Sequence, residues 1–289
     1  MAQSRSGTSD GRDRTIRFRA GIGLSAHGAW EALALTTWLT LAAIASVSSY
    51  LQTVTGFAFA LVFMSAVAIS NLIPIEDGAT IVSILMLVNA ATLLAKEWRY
   101  VARSPFLQIV PISLVATVIG TMLLPVFLAK SVIWLKFVLG VVIIGSSLQL
   151  LWLRRDADHP RPAWAFPLSG VAAGLMGGLF AIPGPPVVYA LQRYLPSHRQ
   201  IRATLVAIFG AVTAVRLGMA SVLAVPAGHI LATAAMLVPV TIATTVLAHR
   251  RPPPLSPDML RRITICLLVL TGVVLVLPAL SQMAAPAAG

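Results

Sequence analysis

Residues 174–191 read GLMGGLFAIPGPPVVYAL. Gly174, Gly177, Gly178 and Gly184, together with Pro183, Pro185 and Pro186, interrupt a stretch that is otherwise as apolar as a membrane span. Proline has no N–H to donate, and glycine weakens a helix by about 1 kcal/mol relative to alanine. The chain therefore breaks a helix where hydrocarbon would leave the freed backbone groups unpaired.

The rest of the chain supports the membrane setting. Hydrophobic residues make up 58% and charged residues 10%, where a soluble domain carries about a quarter charged residues. Apolar segments run over 33–53, 56–70, 78–95, 106–128, 132–153, 165–182, 185–195, 203–224, 228–248 and 263–280. Several approach the roughly 20 residues that cross about 30 Å of hydrocarbon, and 185–195 is too short to cross unaided. No alternating barrel pattern is present. The expectation is an all-α polytopic membrane protein with about eight transmembrane helices plus broken or re-entrant hairpin segments.

Charge gives the topology. The formal net charge is +12, but Lys and Arg gather in short loops between apolar runs, which marks cytoplasmic loops rather than a nucleic-acid surface. KEWRYVARS (96–104), RRDADHPR (154–161), RYLPSHRQIR (193–202) and HRRPPPLSPDMLRR (249–262) read as inside; NLIPIED (71–77), 129–132, VPAGH (225–229) and the tail after Gln282 read as outside. Segment 165–195 thus starts and ends on one side, either as two squeezed spans or as a re-entrant hairpin turning at 183–186. The Arg-rich start (Arg5, Arg12, Arg14, Arg17, Arg19) does not resemble a cleaved signal peptide. The single cysteine, Cys266, excludes an intrachain disulfide and reads as a small buried hydrophobe.

The chain also repeats itself. Thr55-Gly56-Phe57 aligns with Gly177-Gly178-Leu179, Pro74 with Pro196, Ala79-Thr80 with Ala203-Thr204, Asn89 with Thr213, and Pro111 with Pro239. The predicted division is a basic tail 1–32, a first transmembrane repeat 33–155, a cytoplasmic linker 156–164, a second repeat 165–281 and a tail 282–289. Corresponding loops fall on opposite faces, so the two repeats have inverted topology, as in many secondary transporters. The first hairpin then starts outside, which conflicts with an Arg-rich tail inside. Either residues 20–42 add a crossing or the tail departs from the charge rule.

Two hairpin tips follow, QTVTGFAFA (52–60) and GGLFAIPGPP (177–186). A half-helix start carries free N–H groups and a partial positive charge, so two tips near the midplane make an anion site. The alternative is that the small residues only permit close helix packing. The candidate binding residues are Gln52, Thr55, Gly56, Asn89, Gly177, Gly178, Pro183, Gly184, Thr213 and Arg216. Arg216 sits inside an apolar segment, where it lines a cavity, pairs, or snorkels outward. Ser48, Ser49, Thr53, Tyr189 and Gln192 add hydroxyl and amide groups, either as ligands or as interhelical glue.

The nine Asp and Glu residues fall in tails, loops or segment ends. No carboxylate is expected at the midplane to bind sodium or relay a proton. Glu76 and Asp77 are candidates for proton coupling, or else solvated surface acids. No P-loop, HExxH or Ser/His/Asp pattern occurs, and the five histidines lack metal-ligand spacing. No cofactor, metal site or catalytic residue is expected.

LQTVTGFAFALVF (51–63), GVAAGLMGGLFAIPGPPVVYAL (170–191) and RQIRATLVAIFGAVTAVRLG (199–218) make the chain resemble the TauE/SafE family of sulfite and sulfonate exporters. The resemblance implies a carrier of two related halves that moves small sulfur-containing anions. The chain departs from the family at the second tip, where Ala181-Ile182-Pro183-Gly184-Pro185-Pro186 replaces a glycine-dense run, and at Gly56-Phe57-Ala58-Phe59, where a second glycine is common. The expected function is alternating-access transport of a small anion across the inner membrane. An anion channel or facilitator, an uptake carrier for another small organic acid, and a scaffold or intramembrane enzyme are the alternatives. The expected partners are the anion and the lipid bilayer, not nucleic acid, and a homo-oligomer is left open.

Overall fold

A computed structural model describes residues 35–130, 132–151, 162, 164–223 and 228–250. Towards the C-terminus it describes 259, 262, 265, 266, 269, 272, 273 and 276–281. The basic tail 1–32, the linker 156–164 except 162 and 164, and the tail 282–289 lie outside the described residues. The chain divides into two units, Met1–Ala43 and Ile44–Gly289. In the first, residues 35–43 are helical.

The second unit is helical, with no strand among its described residues. Its elements are α1 (44–55), α2 (Phe59–Ser70), α3 (Ile75–Glu97) with a 3-10 turn Trp98–Tyr100, α4 (Arg103–Lys130), α5 (Val132–Leu151), α6 (Ala165–Phe180), α7 (Gly184–Tyr194), α8 (His198–Leu223) and α9 (Gly228–Arg250). The described residues between 259 and 281 are also helical. Among the described residues, four stretches are long and apolar enough to cross a membrane: Ile75–Tyr100, Arg103–Val126, His198–Val222 and Gly228–Arg250. The apolar helices Phe59–Ser70 and Ala165–Phe180 are shorter. The fold is thus an all-helical multi-pass membrane protein.

Local chemistry sets the ends. Asn71 closes α2 in the left-handed conformation (φ 49°) and its N–H bonds Val67 O at 3.0 Å. Pro74 in extended backbone opens α3, and Glu76 and Asp77 occupy its first turn, at the positive end of the helix dipole. Pro111 and Pro125 lie inside α4 and Pro239 inside α9; membrane helices tolerate such prolines where neighbouring helices satisfy the freed groups. Large apolar side chains face outward along α4 and α9, among them Leu107, Val115 and Met236. Water would penalise that face, and lipid does not. The same reason corrects the reading of Cys266, which is exposed rather than buried.

Two seams hold the unit together. α4 and α6 run parallel in close approach, with Gly170 against Ile109, Gly174 against Ser113 and Gly178 against Thr117. A Cβ at Gly178 would stand 2.5 Å from Thr117 O and 2.7 Å from Thr121 N. The four-residue spacing of these glycines lets two backbones meet, as small residues do between membrane helices. α3 and α8 run antiparallel, with Arg216 on Ser83, Thr213 on Met86, Gly210 on Ala90, Val206 in one apolar cluster with Ala90 and Leu93, and Arg202 on Glu97. α9 runs parallel to α3, with His229 near Asp77 at one end and His249 near Glu97 at the other.

Filling the α4–α6 seam tests it. Gly178→Leu is expected to destabilise the protein by about 1–3 kcal/mol or more, because the new side chain meets backbone on both sides. Gly218→Ala, at a position with open space around it, is expected to stay within about 0.5 kcal/mol. Thermal unfolding of both variants in the same detergent checks the contrast.

Candidate functional site

The two helix breaks are built differently. At the first, Gly56 takes φ +89°, a conformation that favours glycine, and its N–H bonds Gln52 O at 2.7 Å. Thr55 turns its hydroxyl back onto Leu51 O (2.6 Å), so it serves the end of α1. α2 then restarts at Phe59 without a side-chain cap from Ala58, and Gln52 Oε1 accepts the Phe59 N–H at 3.0 Å. At the second break, Ala181 closes α6 at φ +59°, its N–H on Gly177 O at 3.0 Å, and Pro183 leads into α7.

The breaks lie side by side. A Cβ at Gly184 would be 3.8 Å from Phe57 O and 3.9 Å from the Phe209 ring on α8. Gly177 faces the same region, its missing Cβ 3.2 Å from Pro183 and 2.6 Å from Val212. Gly178 turns away, into the α4–α6 seam. Gly56 packs on α8 as well, where a Cβ would stand 3.1 Å from Arg202 Cα.

Donor counting separates the two. The first four N–H groups of a helix have no partner within it. For α7 these belong to residues 183–186, and three of them are prolines, so only Gly184 can donate. For α2 they belong to residues 58–61. Phe59 is capped by Gln52, while the N–H groups of Ala58, Ala60 and Leu61 find no partner among the described residues. All three residues are buried. Gln52 is 1% exposed, and with its Oε1 held on Phe59 its Nε2 has no partner among the described residues. The donors concentrate at the first break.

Asn89 lies next to it in a buried polar cluster. Its Nδ2 faces Ser49 Oγ (3.2 Å), Thr53 Oγ1 (3.3 Å) and Thr245 Oγ1 (2.8 Å), tying α3 to α1 and α9. Asn89 Oδ1 and Ser48 Oγ are buried without a partner among the described residues. Thr245 was not among the sequence candidates; its only signal is a place in an ordinary Thr-Thr pair of an apolar helix.

Thr213 and Arg216 sit elsewhere. Thr213 reaches Met86 Sδ at 3.6 Å. Arg216 is 4% exposed, and its Nη1 donates to Ala79 O (3.1 Å) and Ser83 Oγ (2.9 Å). It lies seven residues beyond Phe209, about 10 Å along the helix. The cation against the first break is Arg202, whose Nη1 donates to Thr53 O at 3.2 Å and whose Nε donates to Glu97 at 3.1 Å. Glu97, read from sequence as part of a basic loop, is the last residue of α3 and is fully buried. Glu76 is exposed. Among the described residues no three His, Cys, Asp or Glu side chains gather as a metal would require.

The chain is similar to the probable sulfite/organosulfonate exporter TauE of Cupriavidus necator, with 30% identity over 248 residues covering 84% of this chain and 95% of that protein. No solved structure matches the chain significantly. The family model described as sulfite exporter TauE/SafE matches residues 41–275. The chain belongs to the TauE/SafE family of sulfite exporters.

Proposed function

We propose that this protein is a secondary transporter that exports a small oxyanion, sulfite or an organosulfonate, from a site at the first helix break. The observation that carries the reading is the buried group of donors there: the N–H groups of Ala58, Ala60 and Leu61 and the Nε2 of Gln52, without partners among the described residues. Buried donors without partners cost stability unless a ligand or water completes them. Hydrogen-bond donors at a helix start, of partial positive charge, suit an anion. Gly184 adds one N–H from the second break, and Pro183 and Gly177 shape that side. The name of the similar protein, together with the family, points to the sulfur oxyanions.

The antiparallel α3–α8 seam supports inverted repeats. The two helices are repeat-mates in the sequence alignment, and a contact between residues near 89 and 210 mirrors one between 86 and 213. An in-plane two-fold axis between the mid-points of the two helices produces that register. Two such repeats, each of a hairpin and further spans, make about eight crossings in an inner membrane. Rocking of one repeat on the other would expose the site alternately. Nothing in the donor set calls for a catalytic residue.

In proteoliposomes, sulfite or an organosulfonate should show saturable uptake and counterflow. Gln52→Leu is expected to weaken anion affinity at least about tenfold, in line with the loss of one hydrogen bond to a charged group. Unitary conductance, or no flux under any gradient, overturns the carrier reading. Arg216→Ala is expected to cost about 1–3 kcal/mol of stability by loosening α8 from α3. It should nevertheless keep the anion-induced rise in Tm, which appears whenever a ligand binds the folded state alone. Loss of that rise would return Arg216 to the site.

A further inference from the structure

Glu97 is fully buried at the end of α3, and its surroundings are cationic. Arg202 donates to it from Nε at 3.1 Å and in close contact from Nη2, while Arg199 Nε stands 3.7 Å away and His249 Nδ1 3.9 Å away. Lys96 precedes it in the chain. Four elements meet here, because Arg202 also donates to Thr53 O at the end of α1 and packs beside Gly56. One guanidinium therefore joins a buried carboxylate to the break that holds the open donors.

We propose that Arg202 is a further anion-binding residue and that Glu97 is its resident counter-ion, exchanged for the transported anion. The proposal rests on the reading of the first break as the anion site. A guanidinium presents paired N–H donors that fit a carboxylate and a sulfur oxyanion equally well. The anion thus competes with Glu97 for the same fork. The exchange avoids stranding the carboxylate, since a buried charge left without a partner is strongly destabilising. Arg199 and His249 already stand within 4 Å, and Arg199 is steadied over the Tyr100 ring at 3.8 Å. Arg199 takes up the charge of Glu97 when Arg202 turns to the ligand, with the His249 ring beside it. With Glu97 on Arg202 the site is self-occupied, which holds it closed to weak binders.

The test is anion affinity of the full-length protein, using methanesulfonate, whose charge does not change near neutral pH, and sulfite. Glu97→Gln removes the competing charge while keeping an oxygen for Arg202, and should bind methanesulfonate roughly tenfold tighter, while Arg202→Gln should bind it at least about tenfold weaker. Weaker or unchanged binding by Glu97→Gln overturns the proposal; because loss of a carboxylate also raises the local positive potential, tighter binding supports the exchange only where Glu97→Asp, which keeps the charge, tightens it as well. If Glu97→Gln does not fold, Glu97→Asp carries the test, since its shorter reach loosens Arg202; tighter binding supports the exchange and unchanged or weaker binding overturns it. Absence of any saturable anion binding by the unaltered protein overturns the anion site itself, and the proposal with it.

Discussion

The constraint on which the structure depends is that a helix interrupted within apolar surroundings must find partners for its backbone ends. At the first break Gln52 meets that demand in part, through one bond from Phe59 N–H to its own Oε1. That bond orients the amide, so that Nε2 is left as a donor beside the remaining N–H groups of α2. At the second break the demand is reduced instead of met, because prolines supply no N–H at three of four positions. The same difficulty has two solutions in one chain: the first leaves several donors open, and the second leaves one, the N–H of Gly184.

The seams place this chemistry. α6 is fixed by direct backbone approach to α4 at Gly170, Gly174 and Gly178, so its end at Phe180 is a rigid reference. α8 runs past both breaks, touching the first at Arg202 and the second at Phe209 and Val212. Polar ties mark both ends of its contact with α3: Arg216 on Ser83 at one, Arg202 on Glu97 at the other.

Much of the helical order was legible because it rests on short-range physics. Pro183, Gly184, Pro185 and Pro186 in succession remove three N–H donors within one turn, which ends one helix and suits the first turn of the next, and Gly56 adopts a φ that favours glycine. The apolar segments correspond to helices because each needs internal hydrogen bonds in lipid. The site was legible only in part. Gly178 belongs to the same glycine run as Gly177, yet one residue of helix rotation, about 100°, sends it to a different neighbour. Arg216 drew notice because charge is unusual within an apolar segment, whereas Arg202 and Glu97 lay in charged loops, where charge normally means water. Their partnership spans 105 residues of chain, and no local pattern announces it.

The unequal breaks bear on how two neighbouring helix starts divide their labour. With all their N–H groups in place, two helix starts side by side would be equivalent cradles for an anion, which would then be shared or held too firmly to leave. Proline at three of four positions leaves the second start a single N–H, so it contributes shape with little attraction. The prolines of GLMGGLFAIPGPPVVYAL thereby make the two sides of the double break chemically unequal, donor-rich at the start of α2 and donor-poor at the start of α7.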